Sequence, residues 1–274
     1  MTLLQIDWNP APEIFKIGSF AVRYYSLMFV IAFMLGLFLM KKIFINDKIP
    51  IEKLDSLFIY TVVATLIGAR LGHFLFYDPE FLFKKPLEVI LPFKFSPKFQ
   101  FTGFAGLASH GAAIGIIIAM YLFSKKVLKK PILFILDRIT IPVAAGAVFV
   151  RLGNLMNSEI IGKPTNSDYG FIFRRLGEDF PRHPAQLYES ISYLFIFGIL
   201  MFVYWKTDKI KKQGYLFGLF FVLLWTARFF VEFFKEAQVE GREDWVLGLN
   251  TGQVLSIPLV LVGLFFMFRN SSKN

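Results

Sequence analysis

The run RLGNLMNSEIIG, from Arg151 to Gly162, directly follows LFILDRITIPVAAGAVFV, a stretch apolar enough to lie in lipid. It concentrates an arginine, two asparagines, a serine and a glutamate where an apolar helix would be expected to end. If the helix continues, Arg151, Asn154, Leu155, Ser158 and Glu159 recur at i, i+3, i+4, i+7 and i+8 and share one face. A helix end fraying into water has no need of such a stripe, so a polar pocket wall is the sharper reading. Gly153 weakens helix by about 1 kcal/mol relative to alanine, so a bend is expected there.

A second cluster lies in LLWTARFFVEFFKEAQ, where Arg228 and Glu232 stand four apart, close enough to pair on one helix face. For Glu232 the plain reading is a neutralising ion pair. Arg228 is forked, permanently charged and suited to holding a phosphate. Arg151 and Arg228 together point to an anionic head group between helices. His110, in GLASHGAAIGIII, is either a satisfied interhelical hydrogen-bonder or a proton acceptor, and its surroundings of small residues permit close approach. His73, in GARLGHFLFY, reads as an interfacial position. RHPAQLYES offers Gln186, Tyr188 and Glu189 behind Pro184, a signal weakened because acidic first turns also suit the helix dipole. Tyr25 has a similar standing, since tyrosine at an interface is ordinarily an aromatic anchor.

Charges inside apolar spans cost several kcal/mol unless paired or facing a wet cavity, so the elements that carry them must pack against one another. The chain has 274 residues, 55% of them hydrophobic and only 18% charged, which marks a polytopic membrane protein. Seven apolar runs are long enough to cross: 22–44, 55–77, 103–123, 132–150, 184–205, 214–234 and 252–268. Short basic breaks follow the first, third and fifth runs, and longer mixed loops lie at 78–102, 152–183 and 235–251. By the positive-inside rule the N-terminus faces outward and the C-terminus lies in the cytoplasm. The expected fold is therefore an all-α integral membrane protein of about seven helices, one polytopic domain over 1–274. The opening residues lack a basic stretch followed by a short apolar run, so no cleaved signal is expected.

The net charge of +10 sits in breaks such as SKKVLKK, which suit an anionic inner leaflet rather than a nucleic-acid groove. With no cysteine, disulfides and a cysteine nucleophile are excluded, and any thiol must arrive on a partner. Three scattered histidines make no metal site, and no nucleotide-binding glycine pattern occurs, so no metal and no cofactor are expected.

Taken in order, RYYSLMFVIAF, SHGAAIG, RLGNLMNSEIIG, RHPAQLYE, ARFFVEFF and TGQVLSIP resemble the motifs of the prolipoprotein diacylglyceryl transferase family, polytopic enzymes of the bacterial cytoplasmic membrane. The resemblance covers nearly the whole chain. It implies transfer of an sn-1,2-diacylglyceryl group from phosphatidylglycerol to the sulfhydryl of a lipobox cysteine in a preprolipoprotein signal peptide. It implies Arg151 and Arg228 as head-group and catalytic arginines, with His110, Tyr25, Asn154, Glu159, Gly162 and Glu232 at other motif positions. His110 is the expected acceptor of the thiol proton; alternatively arginine and the substrate phosphate manage that proton between them. Ala112, Ser158, Lys235 and Leu224 depart from the family pattern, replacing a frequent glycine, glycine, arginine and tyrosine respectively. The competing readings are a lipid or small-solute transporter and a relative that binds lipid or signal peptide without catalysis. The absence of visible inverted repeats disfavours the first.

Overall fold

In the computed structural model the described residues are 4–17, 20–91, 93–95, 98–101, 108–237 and 243–270. Among the described residues six helical segments are long and apolar enough to cross a membrane, and a seventh, shorter apolar helix accompanies them. They are α1 (Tyr24–Asn46), α2 (Glu52–Tyr77), α5 (Ser109–Phe123), whose helical path continues through a π turn so that the span is His110–Leu128, α6 (Ile132–Met156), α7 (Ala185–Lys206), the shorter α8 (Tyr215–Val231) and α9 (Thr251–Phe268). Each of the seven expected runs is helical over most of its described length; 22–23 belong to a strand, 232–234 to a turn, and 103–107 lie outside the described residues.

The intervening segments are not plain loops. Two short helices, α3 (Pro79–Lys84) and α4 (Pro86–Ile90), each begin on a proline, where the missing N–H is no loss. Six short strands pair two by two. These are β1 (Leu4–Trp8) with β6 (Tyr169–Phe173), β2 (Glu13–Ile17) with β3 (Phe20–Arg23), and β4 (Phe93–Lys94) with β5 (Gln100–Phe101). The β1–β6 pair is parallel, and Trp8 Nε1 donates to Leu155 O at 2.9 Å, tying the start of the chain to the end of α6.

The chain divides into two compact units, Lys41–Ile135 and the remainder. In the first, α2 and α5 meet through glycines. A Cβ on Gly111 would stand 2.2 Å from Gly68 O, one on Gly72 2.6 Å from Gly111 Cα, and one on Gly115 2.6 Å from Ala64 O. Without side chains at these points the two backbones touch, the packing that small residues allow between helices in lipid. Arg70 on α2 donates to Val89 O at 2.9 Å and Glu88 O at 2.7 Å, so its buried charge is met by carbonyl dipoles. His73 packs against the rings of Phe74 and Tyr77, in keeping with an aromatic interfacial position.

In the other unit α8 packs along α9 and against α7. Small residues of α6 face α1: a Cβ on Gly146 would meet Ala32, and one on Gly153 would meet the Tyr25 ring. Asp137, fully buried on α6, accepts from the backbone N–H groups of Gly214 at 2.7 Å and Phe217 at 2.9 Å. It caps the start of α8, whose first donors have no partner within the helix.

The glycine contacts give a direct check. Gly111→Ala is expected to force α2 and α5 apart and lower stability by about 1–3 kcal/mol or more, seen as a reduced melting temperature in detergent. Gly198→Ala, on α7 with nothing within 4 Å of the new Cβ, is expected to leave it unchanged or slightly raised.

Candidate functional site

The end of α6 supplies the first group. Arg151 Nη1 donates to Asn154 Oδ1 at 3.1 Å, and Asn154 Nδ2 donates to Glu159 Oε2 at 3.3 Å. The Tyr25 ring of α1 packs against Gly153 beside them. Four residues singled out in the sequence therefore meet. α6 runs unbroken through Gly153 to Met156, and the missing side chain there is what lets the Tyr25 ring lie at 2.9 Å from where a Cβ would be.

The expected continuous stripe is corrected here. The helix stops at Met156, and Ser158 takes a left-handed φ of 56°. Glu159 N–H bonds Asn154 O at 2.9 Å and Ser158 N–H bonds Leu155 O at 3.0 Å, the paired closure of a Schellman turn with Ser158 at its left-handed position. Glu159 returns to Asn154 through this turn and not through helical spacing. Its carboxylate also takes Asn157 Nδ2 at 3.0 Å, and Gln186 Nε2 donates to its backbone carbonyl at 2.6 Å. Glycine, with no Cβ to strain, suits the φ of residue 158 better than serine.

Gly162 is held between loop segments. Its N–H donates to His183 O at 3.1 Å, its carbonyl accepts from Arg182 Nη1 at 3.1 Å, and a Cβ would fall 2.1 Å from His183 O. Arg182 is clamped by both Glu178 oxygens at 2.6 Å, with Glu236 at 3.2 Å. Burial opposes its charge, but the carboxylates of Glu178 and Glu236 outweigh that and hold its pKa above the ordinary arginine value. Lys163 N–H to Phe234 O and Glu236 N–H to Ile161 O extend the same seam, so Gly162 lies in a backbone junction that joins the α6 and α8 ends.

The second charged group stands at the end of α8. The expected span to 234 closes early: Phe233 and Phe234 N–H groups bond back three residues, a tightened final turn. Glu232 thereby reaches Lys235, which is 1% exposed, and accepts from Asn250 Nδ2 at 3.3 Å. Gly252 leaves the space that the Glu232 carboxylate fills, for a Cβ there would sit 2.4 Å from Cδ. Asn250 is also the cap of α9, exchanging bonds with Gln253 in a capping box. Arg228 lies 3.6 Å from Glu232 and, at 27% exposed, is the most open of the three cations.

Glu189 of α7 joins the two groups. It is 1% exposed and pairs with Arg151 Nε at 2.8 Å. Tyr193, one turn on, donates to Glu189 Oε1 at 3.5 Å and lies within electrostatic reach of Arg228; Lys235 is likewise in reach of Glu189, and Arg151 of Glu232. In the interior three cations, Arg151, Arg228 and Lys235, face two carboxylates, Glu189 and Glu232, a surplus of one positive charge. Glu159 is exposed and bound to asparagines. An anion fits that surplus, and phosphate fits the two guanidinium forks.

His110 belongs to the other unit, exposed in the first turn of α5, beside Gly111 in the glycine contact with α2. The sequence reading passed over Tyr193 and Asn250, and named Glu189, Gln186 and Lys235 without giving them a role. Glu189 had a signal, an acidic residue nine-tenths or more within an apolar face, but its place near a helix start offered an equally good explanation.

Two outcomes follow from this geometry. Burial pushes the Lys235 ammonium below its ordinary value, assisted by Arg228 and opposed by Glu189 and Glu232. A lowered folded pKa means Lys235 loses its charge, and Glu232 its partner, at a lower pH than an ordinary lysine, while stability from this group alone rises with pH across that window. Lys235→Arg is therefore expected to shift the alkaline fall of turnover upward, read from pH–rate profiles. Ser158→Gly is expected to raise stability by up to about 1 kcal/mol by relieving the left-handed position, read as a higher melting temperature.

A family model described as prolipoprotein diacylglyceryl transferase matches residues 12–269. The phosphatidylglycerol–prolipoprotein diacylglyceryl transferase of Bacteroides fragilis is 44% identical over 268 residues, covering 97% of this chain and 95% of the relative. That of Chloroherpeton thalassium is 43% identical, covering 97% and 94%, and that of Tolumonas auensis 39%, covering 97% and 98%.

Proposed function

Because the chain belongs to the prolipoprotein diacylglyceryl transferase family, we propose that the cluster around Arg151 and Arg228 holds the phosphate of phosphatidylglycerol during diacylglyceryl transfer. The protein is a transferase of the bacterial cytoplasmic membrane, acting on phosphatidylglycerol and prolipoprotein at the first step of lipoprotein maturation. The transporter alternative is not favoured by relatives that share almost the whole chain.

The acceptor in this reading is the thiol of a lipobox cysteine. Its sulfur attacks the glyceryl carbon that carries the phosphate. A C–S bond forms, the C–O bond to phosphate breaks, and glycerol phosphate leaves with the electron pair. The thiol must first lose a proton, because the thiolate is the nucleophile. His110 is the acceptor of that proton in this reading, histidine being the side chain that most often performs such transfers. The departing phosphate gathers negative charge, which fixed guanidinium groups stabilise most strongly where water is scarce. Asn154 and Glu159 brace Arg151, and Glu232 with Lys235 braces Arg228. Tyr25 closes the pocket over Gly153, while Gly162 keeps the loops at the two helix ends together. The basic short breaks support an N-terminus outside and a C-terminus in the cytoplasm, which puts both arginines toward the outer side.

The observation that carries the reading is the surplus positive charge buried among α6, α7 and the end of α8. The test is direct: purified protein is given phosphatidylglycerol and a lipobox peptide, and mass spectrometry looks for a diacylglyceryl gain on cysteine. Arg151→Ala and Arg228→Ala are each expected to cost roughly 10²–10³-fold in turnover. His110→Gln is expected to cost about 10²-fold or more. Full transfer by either arginine variant removes the head-group assignment, and near-normal turnover of His110→Gln across pH removes the histidine base.

A further inference from the structure

We propose that Glu189 is a positioning residue that fixes the direction in which Arg151 presents its guanidinium, an assignment resting on Arg151 as a phosphate-holding group. A guanidinium has five N–H donors in one plane. The Nε of Arg151 lies 2.8 Å from Glu189 Oε2 in an ion pair without hydrogen-bond alignment, and Nη1 donates to Asn154 Oδ1 at 3.1 Å. One partner comes from α7 and the other from α6 itself, so two separate elements set the plane of the fork.

Tyr193 adds a third constraint. Its hydroxyl donates to Glu189 Oε1 at 3.5 Å, and the Arg151 Cζ stands 6.0 Å from its ring centroid. Glu189 and Tyr193 are four residues apart on α7, one turn, and both are buried. One carboxylate oxygen thus accepts from Tyr193 and the other forms the ion pair with Arg151, neither engaging substrate. With Nε against the carboxylate, the Nη edge is the part of the guanidinium left for a ligand, the edge with which arginine takes phosphate in a bidentate pair.

A counterion that merely neutralises and one that positions make opposite forecasts. Removing the Glu189 charge makes the pocket more positive, so an anionic lipid binds as well as before or more tightly. Losing the fixed orientation, by contrast, is felt where bonds break, because small displacements of a transition-state donor cost turnover. Structural collapse would weaken both binding and turnover.

The experiment uses full-length protein in nanodiscs containing phosphatidylglycerol, with a lipobox peptide as acceptor. Glu189→Gln keeps the reach of the side chain and removes its charge. It is expected to lower kcat about 10- to 100-fold while KM for phosphatidylglycerol falls or stays within about twofold. A rise in KM parallel to the loss in kcat, or an unchanged kcat in a protein whose Arg151→Ala variant is inactive, overturns the proposal. An inactive wild-type protein overturns the functional reading, and the positioning role with it; an active wild type with an indifferent Glu189→Gln overturns the positioning role alone. Should Glu189→Gln lose its melting transition, Tyr193→Phe carries the same test. Its kcat is expected to fall about threefold or more at constant KM, and an unchanged kcat there is equally fatal.

Discussion

A permanently charged guanidinium on an apolar helix must find a carboxylate, and the Arg151–Glu189 pair answers that demand by joining α6 to α7. Taking either ion from water costs several kcal/mol, which the pair recovers only when its remaining donors and acceptors are also met. Asn154 accepts from one Arg151 nitrogen and Tyr193 donates to one Glu189 oxygen. Glu232 draws Lys235 and Asn250 to the end of α8 in the same way. Breaking one partner leaves a buried charge unopposed, so the residues act as a unit. The pocket has this form because neutralising each charge brings another helix into place.

Helix ends complete what the ion pairs begin. α6 ends in a left-handed turn at Ser158 that returns Glu159 to Asn154. α8 begins on the Asp137 carboxylate and closes with a tightened turn that delivers Glu232. α9 starts in a capping box whose asparagine also binds Glu232. Each device satisfies backbone groups that a helix cannot satisfy internally. Glycines supply the clearances: Gly153 for the Tyr25 ring, Gly162 for the His183 carbonyl and Gly252 for the Glu232 carboxylate.

The helices were legible because an apolar run long enough to cross lipid has few other uses. Arg151, Asn154 and Tyr25 were legible as well, the first two through their spacing and the third through its motif. Beyond Met156 the spacing argument failed, since it assumes a helix that the turn at Ser158 ends, although Glu159 reached the same neighbour by another path. Gly153 was read as a weak point in its own helix, whereas its purpose lies with a side chain more than a hundred residues away. The β1–β6 pair had no local signal, for its strands are short and their partners distant in the chain. Glu189 and Asn250 share that difficulty: their significance lies in what other helices bring to them. The glycine that the family pattern favours where Ser158 stands has a physical sense, because the position is left-handed.

The central claim is that the forks of Arg151 and Arg228 grip the phosphate of the lipid donor. A structure of the protein with a non-reactive phosphatidylglycerol analogue bound measures this most directly. The expected result is a phosphate with oxygens within hydrogen-bonding distance of the Nη groups of both arginines, the Arg151–Glu189 pair still intact. A phosphate held elsewhere, with both guanidinium groups engaged only by carboxylates, would contradict it.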